Sequence, residues 1–272
     1  MPQDLHNISG AGFDTGSLRH QALGAQLLSA GMAGYGEFFY LSPIVAGTSA
    51  PARGGVPVLF PQFAEAGPLR KHGYVRDMPW TLRESREEAG GEMFCYTLDI
   101  SEQDYPQWPH GTSLQLKAEL HPDHLRIALD IRNTGTSAFS FTGGLHPYFR
   151  LPDLRQMRID GLHGLKISDR YRPELLADEA PVLTLGSEPF ERLYDACPDL
   201  QLWTGERWLT LSANGFDQWM VWNPGEEGAR QLADLPDADW QHFVCIEPVR
   251  VARPVHLAPG EMFTGTLTIK SA

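Results

Sequence analysis

Cysteine is scarce: Cys95, Cys197 and Cys245 are the only three among 272 residues, an odd number and far apart. A disulfide framework is therefore not expected, and a reducing, cytoplasmic setting fits. Positive charge is scarce too: 22 Lys and Arg stand against 34 Asp and Glu, a formal charge of −12. General nucleic-acid binding rests on neutralising phosphates, so so acidic a chain is a poor candidate for it. A small anion held by two or three local arginines remains open. Long apolar runs are missing as well. Between Gln21 and Ala52 the only charged residue is Glu37, but glycines and prolines break the stretch, and no membrane span is expected. The N-terminal MPQDLHNISG has no basic segment followed by an apolar one, so no secretory signal is expected. Phosphate loops, dinucleotide-binding glycine fingerprints, nucleophile elbows, H-E-x-x-H and C-x-x-C are all absent.

What is present is alternation with a period of two. Leu114, Leu116, Ala118 and Leu120 alternate with Gln115, Lys117 and Glu119. After His121-Pro122-Asp123, the series Leu125, Ile127, Leu129, Ile131 alternates with Arg126, Ala128, Asp130 and Arg132. This predicts two half-buried strands around a Pro-Asp turn. Shorter runs follow at Ala138–Thr142, Trp208–Leu211, Trp219–Trp222, Phe243–Ile246 and Phe263–Ile269. Strands at this spacing suggest a sandwich or barrel. Helical signals are few: Asn223-Pro224 could start one short helix over Glu226–Leu235. Arg83–Gly91 reads as a charge-rich solvated loop or hairpin end. No linker divides the chain, and one all-β domain over residues 1–272 is expected. His121 and His124 are the one close pair with metal-ligand potential, but at a turn a solvated role is the expectation, and no metal is expected.

Four segments differ from ordinary strand sequence. Arg53–Phe63, RGGVPVLFPQF, joins glycines that allow unusual backbone angles to prolines that stiffen it. It could fix Arg53 in a site or be a rigid connector with a surface arginine. In KHGYVRDMPW, His72 and Arg76 fall on one face of an extended chain, suited to an anionic, hydroxylated ligand. Alternatively Arg76 pairs with Asp77. In TGGLHPYFR, His146 follows a strand and is flanked by Tyr148 and Phe149. It could be a general acid or a satisfied core histidine. Finally, FDQWMVWNP sets Asp217 beside Trp219 and Trp222, and FVCIEP ends an apolar strand on Glu247. A carboxylate there is costly unless paired or used. Aromatic rings beside acids suit a sugar, stacking on its apolar face while the acid takes hydroxyl hydrogens.

Taken in order, R-G-G-V-P-V-L-F-P-Q-F, H-G-Y-V-R-D-M-P-W, G-L-H-P-Y-F, D-Q-W-M-V-W-N-P and V-C-I-E-P resemble the aldose 1-epimerase superfamily, most closely its hexose-6-phosphate branch. P-G-E at Pro259–Glu261 matches the approach to its last strand. The resemblance spans roughly Gly24 to Ile269. It implies a galactose-mutarotase-like β-supersandwich with an open cleft on one concave sheet. It implies interconversion of the α and β anomers of a hexose 6-phosphate without a cofactor. By the same resemblance His146 is the general acid and Glu247 the general base, while His72 and Asp217 orient the sugar. Arg53 and Arg76 contact phosphate and hydroxyls, and Gln62 and Trp222 line the wall.

The residue types suit that chemistry. Anomer exchange removes the proton of the C1 hydroxyl while protonating the ring oxygen, and one carboxylate and one imidazole, expected on opposite sides of the ring, suffice. The partner expected is a small sugar phosphate, with neither nucleic acid nor membrane, and the protein is expected to be a monomer. Two other readings remain: an epimerase of unphosphorylated aldoses, or a non-catalytic sugar-binding protein on the same scaffold. A glycosidase would need Asp217 and Glu247 facing one another.

Overall fold

Where the alternation is strongest, strands form with the expected faces. Thr112–Leu120 and His124–Asn133 pair antiparallel, and along the first every second residue is buried. The structure, a computed structural model, describes residues 5–7, 17–44, 51–88 and 91–271. Those two strands lie inside an eight-stranded sheet that runs, in spatial order, through Arg158–Asp160, Leu200–Trp203, Trp208–Asn214, Met262–Ser271, His124–Asn133, Thr112–Leu120, Gly91–Ile100 and Thr81–Glu88. A seven-stranded sheet faces the core with it. Its path is Ile167–Asp169, Phe190–Tyr194, Gln218–Asn223, Phe243–Leu257, Phe139–Leu145 and Val58–Leu59, and Tyr148–Arg150 also pairs with Phe243–Leu257. A small four-stranded sheet contains Ser17–Gln21 and Leu27–Met32. The inward rows, among them Leu114, Leu116, Leu129 and Ile131, meet Phe60, Phe141 and Trp219 in one buried cluster. The expected all-β sandwich is therefore the fold.

One local expectation is narrowed to its hairpin-end alternative and another is corrected. The charged segment 83–91 is largely strand: Thr81–Glu88 forms the sheet edge, its residues 83–87 exposed, and its register ends with Glu88 opposite Gly91. Charges on such an edge oppose pairing with another chain, a role that periodicity alone does not reveal. The helix expected over Glu226–Leu235 is only Gly225–Ala229, with the Asn223 side chain accepting from the Gly225 N–H at 2.8 Å. Beyond it the chain continues in turns toward Pro236, which disfavours helix in the residue before it. His121 and His124 stack at the turn, and His124 bonds its neighbour Asp123 at 2.8 Å, which agrees with a solvated role.

One buried network braces the strand Phe190–Tyr194. Arg192, 4% exposed, donates to Asp169 at 2.9 Å and to Asp178 at 2.7 Å, and the Tyr194 hydroxyl also donates to Asp178 at 2.7 Å. Removing the guanidinium leaves two carboxylates without their cation in a buried place. Arg192→Ala is expected to destabilise the fold by about 3–5 kcal/mol, read from urea denaturation midpoints. A loss below about 1 kcal/mol would show that water already solvates the network.

Candidate active site

The long strand Phe243–Leu257 is buried on both faces from Phe243 to Val249, and Glu247 lies in that stretch, 1% exposed. Its neighbours follow from register. Tyr148 pairs with Cys245 on one side, and Trp222 pairs with Cys245 on the other. Glu191 pairs in turn with Trp222. One step along, Met220 pairs with Glu247. Continuing the Tyr148–Cys245 register two residues back on one strand and two forward on the other brings His146 opposite Glu247. Two residues distant by 101 positions in sequence thus meet, with Nε2 of His146 3.5 Å from Oε1 of Glu247. Being neighbours on one wall, they do not flank a sugar from opposite sides as expected. Adjacency serves the chemistry equally, because the two oxygens to be worked on are both bonded to C1.

A cavity of about 290 Å³ opens over this pair. Arg53, His72, Arg76, His146, Trp222 and Glu247 all line it. Arg53 enters through a backbone that only glycine fits: at Gly54, φ is +124°, and a Cβ would collide with the Tyr40 carbonyl oxygen. Its Nε donates to Asp234 at 2.6 Å and its Nη1 to the Tyr148 hydroxyl at 3.3 Å. His72 itself has φ +66°, rare for a residue with a Cβ, and Gly73 follows with its Cα against the Phe60 carbonyl. His72 and Arg76 therefore reach one cavity through a tight turn and the 3-10 helix Val75–Asp77, rather than through the extended chain expected.

The electrostatics of the histidines differ. His72 accepts from the Ala64 N–H through Nδ1 at 3.2 Å, so its proton sits on Nε2 and is available as a donor. Burial first, then Arg76, Lys71 and Arg53, lower it to about 3, so it stays neutral. His146 is pushed well down by burial, His72, Arg76 and Arg53. Glu247 is pushed well up by burial and by Glu191, with Lys71 opposing. These causes disfavour the charged form of each group: the imidazolium of His146 and the carboxylate of Glu247. His146 Nδ1 and Glu247 Oε2 are buried with no hydrogen-bond partner, a state that invites a ligand or water.

Two expected residues lie elsewhere. Asp217 does not line the cavity; its Oδ2 is held by Arg250 at 3.0 Å and Arg253 at 2.7 Å. It precedes the strand Gln218–Asn223 at the far end from Trp222, so it faces neither the sugar nor Glu247 as a glycosidase pair would require. Asp217→Ala is expected to leave the Michaelis constant for substrate within about twofold; a tenfold rise would return it to the site. Gln62 is 3% exposed, and its amide is taken up by the turn it spans, donating to the Ala64 and Leu69 carbonyls and accepting from the Leu69 N–H.

Glu191, Arg170 and Lys71 line the cavity and were not singled out. Arg170 Nη1 lies 3.2 Å from both oxygens of Glu191. The signal was present but weak: in Phe190–Tyr194 the period of two sets Glu191 opposite the buried Arg192, which looks the same as an ordinary solvent face. Three clefts elsewhere are larger, about 420, 700 and 980 Å³, yet among the described residues none holds a histidine within ion-pair distance of a carboxylate. No helix among them is long and apolar enough to cross a membrane.

Comparison with known proteins gives the family. The family model described as aldose 1-epimerase matches residues 21–270. An Escherichia coli K12 protein with the provisional name glucose-6-phosphate 1-epimerase is 31% identical over 259 residues, covering 86% of this chain and 83% of its own. A Cenchrus ciliaris protein of the same provisional name is 29% identical over 231 residues, covering 80% and 70%. The crystal structure of YeaD from Salmonella typhimurium, provisionally a mutarotase, superposes with a TM-score of 0.84 at 27% identity, over 94% of this chain and 86% of that one. The chain belongs to the aldose 1-epimerase family and is an isomerase of sugar anomers.

Proposed function

We propose that the protein exchanges the α and β anomers of a hexose 6-phosphate, glucose 6-phosphate first, with Glu247 and His146 as the acid–base pair. One observation carries the choice of a phosphorylated sugar. Arg76 is largely enclosed, its Nε is buried with no hydrogen-bond partner, and its nearest carboxylate, Asp77, is 4.0 Å away and already held by Arg70. A guanidinium left like this beside Arg53 favours an anion, which its planar fork grips through paired hydrogen bonds. The names of the Escherichia coli and Cenchrus ciliaris relatives point the same way.

The reaction needs no group beyond these side chains. Glu247 as carboxylate takes the proton from O1 while His146 as imidazolium gives its proton to the ring oxygen. The O1 pair forms the C1 carbonyl, and the C1–O5 bond breaks with its electrons on O5. After rotation about C1–C2, closure returns both protons. His72, neutral and donating from Nε2, and Glu191 are placed to hold hydroxyls, and Trp222 offers a ring edge-on to His146 at 6.0 Å. Acid–base catalysis of this kind supplies about 10²–10⁴-fold, and fixed orientation and local charge supply the rest. The test is saturation transfer between the α and β C1 protons, with glucose 6-phosphate and glucose in parallel. Preferential acceleration of the phosphate is expected. Acceleration of glucose alone would assign the protein to unphosphorylated aldoses, and saturable binding without exchange would make it a sugar-binding protein.

A further inference from the structure

The acid–base pair and Arg53 are joined by one side chain. The Tyr148 hydroxyl accepts from Arg53, and its ring lies parallel to the His146 imidazole, with centroids 4.8 Å apart and 9° between planes. We propose that an anion seated between Arg53 and Arg76 activates the His146–Glu247 pair through this Arg53–Tyr148–His146 contact, so that a free phosphate-class dianion accelerates anomer exchange of an unphosphorylated aldose. This rests on Arg53 and Arg76 forming the anion end of the site, as proposed above.

The argument begins with what surrounds His146. His72 comes from the turn before the 3-10 helix, Arg76 from that helix, and Arg53 from the glycine-led segment. Tyr148 stacks on it, while Glu247 and the neutral thiol of Cys245 face it from the long strand and Trp222 from the next. Two of these groups, Arg53 and Arg76, oppose a positive imidazole, and both are where an anion would sit. With the arginines bare, burial and their charge disfavour the imidazolium, and burial disfavours the Glu247 carboxylate. That is the reverse of what ring opening needs. A dianion offsets both guanidinium charges. The proton can then cross the 3.5 Å from Glu247 to His146, with no net uptake, and base and acid form together. The Tyr148 face supports the imidazolium that results. Its ring is stronger in that role once Arg53 shares its hydrogen bonds with the anion. The phosphate of a substrate would thus contribute to turnover as well as to binding.

The probe is phosphite dianion with glucose, which supplies the anion apart from the sugar, and the readout is saturation transfer corrected for the rate without enzyme. Phosphite is expected to raise kcat/KM for glucose about tenfold, saturably, the effect of one pKa unit in the proton's placement. It should also move the whole pH–rate bell to higher pH, because a nearby anion makes the pair hold its proton more firmly. Arg76→Ala should abolish the activation, and Tyr148→Phe, which keeps the stacked ring but loses the hydroxyl, should reduce both the activation and the pH shift. Phosphite that only inhibits, leaves glucose turnover unchanged, or accelerates Arg76→Ala as much as the unaltered protein would overturn the relay. Glucose 6-phosphate in a parallel sample separates the two ideas: rapid exchange there with no phosphite effect on glucose removes the relay and leaves the substrate reading standing. Activation of glucose by phosphite with no exchange of glucose 6-phosphate does the opposite.

Discussion

Glu247→Gln is expected to lower anomer exchange by about 10²–10⁴-fold while leaving the protein as stable or more so. The loss follows from chemistry: an amide cannot take the O1 proton. The stability follows from burial. Glu247 is 1% exposed, one carboxyl oxygen has no partner, and the other lies 3.5 Å from His146 Nε2, long for a hydrogen bond. Burial and Glu191 raise the carboxyl well above its ordinary 4.5, so the folded state holds a proton that the unfolded chain releases. The sign is then fixed. The stability associated with this proton is fully present below about pH 4.5 and is lost as pH rises toward the folded-state value. Glutamine has no such loss, so the melting temperature of Glu247→Gln should exceed that of the unaltered protein by a margin that widens with pH. His146→Asn should cost a similar factor in rate. The double variant should cost little more than either alone, because the pair acts as a unit. Exchange rates within tenfold of normal in both single variants would remove the pair from the mechanism. In the active protein the pH–rate profile should be bell-shaped, since the pair works with one proton and fails with two or none. Its acid limb should lie below the ordinary histidine value of 6.5, because burial and the cations around His146 depress it.

What could be read from the sequence and what could not separates along physical lines. Alternation marks which residues of a strand share a face, so Leu114–Leu120 and Leu125–Ile131 were legible one by one. It does not tell which strands are neighbours. The Tyr148–Cys245 and Trp222–Cys245 registers decide that His146 meets Glu247, and nothing local to either residue encodes them. His146 and Glu247 were visible because a histidine after a glycine pair and an acid in an apolar strand are anomalies where they stand. Asp217 is the instructive case. It looked like a pocket acid because tryptophans follow it, but the nearest arginines in space, Arg250 and Arg253, lie on the strand that pairs with its own, beyond local view. Gln62 fails for a related reason: a short polar side chain in a glycine- and proline-rich segment serves the turn as readily as a ligand, and here its amide bonds are all to backbone. Glu191 is the converse case, a site residue that resembles a solvent-facing one.

Arg76→Ala is expected to reduce kcat/KM for glucose 6-phosphate by about 10- to 100-fold while that for glucose does not fall, since the lost charge is one that opposes the His146 imidazolium, read from saturation transfer over a range of concentrations. A charge-assisted hydrogen bond contributes about 1.5–3 kcal/mol, and a fork that makes two such bonds to phosphate loses them together. Arg53→Ala should discriminate less. Its Nε is committed to Asp234 and its Nη1 to Tyr148, so its loss also frees a carboxylate and unseats the ring that stacks on His146. It should therefore slow glucose as well. Arg76→Lys is the sharper comparison, since lysine keeps the charge and loses the fork. If charge alone recruits the phosphate, Lys restores most of the preference and the rate falls with salt; if paired hydrogen bonds fix it, Lys recovers only a small part. Equal losses on both substrates in Arg76→Ala would mean that the arginine contacts a part common to both, and the phosphorylated substrate would lose its structural support. The asymmetry between the two arginines is what the geometry predicts. One is already bonded and ties the anion end to the acid, whereas the other is partly buried with an unpartnered Nε, a state that costs free energy until an anion arrives.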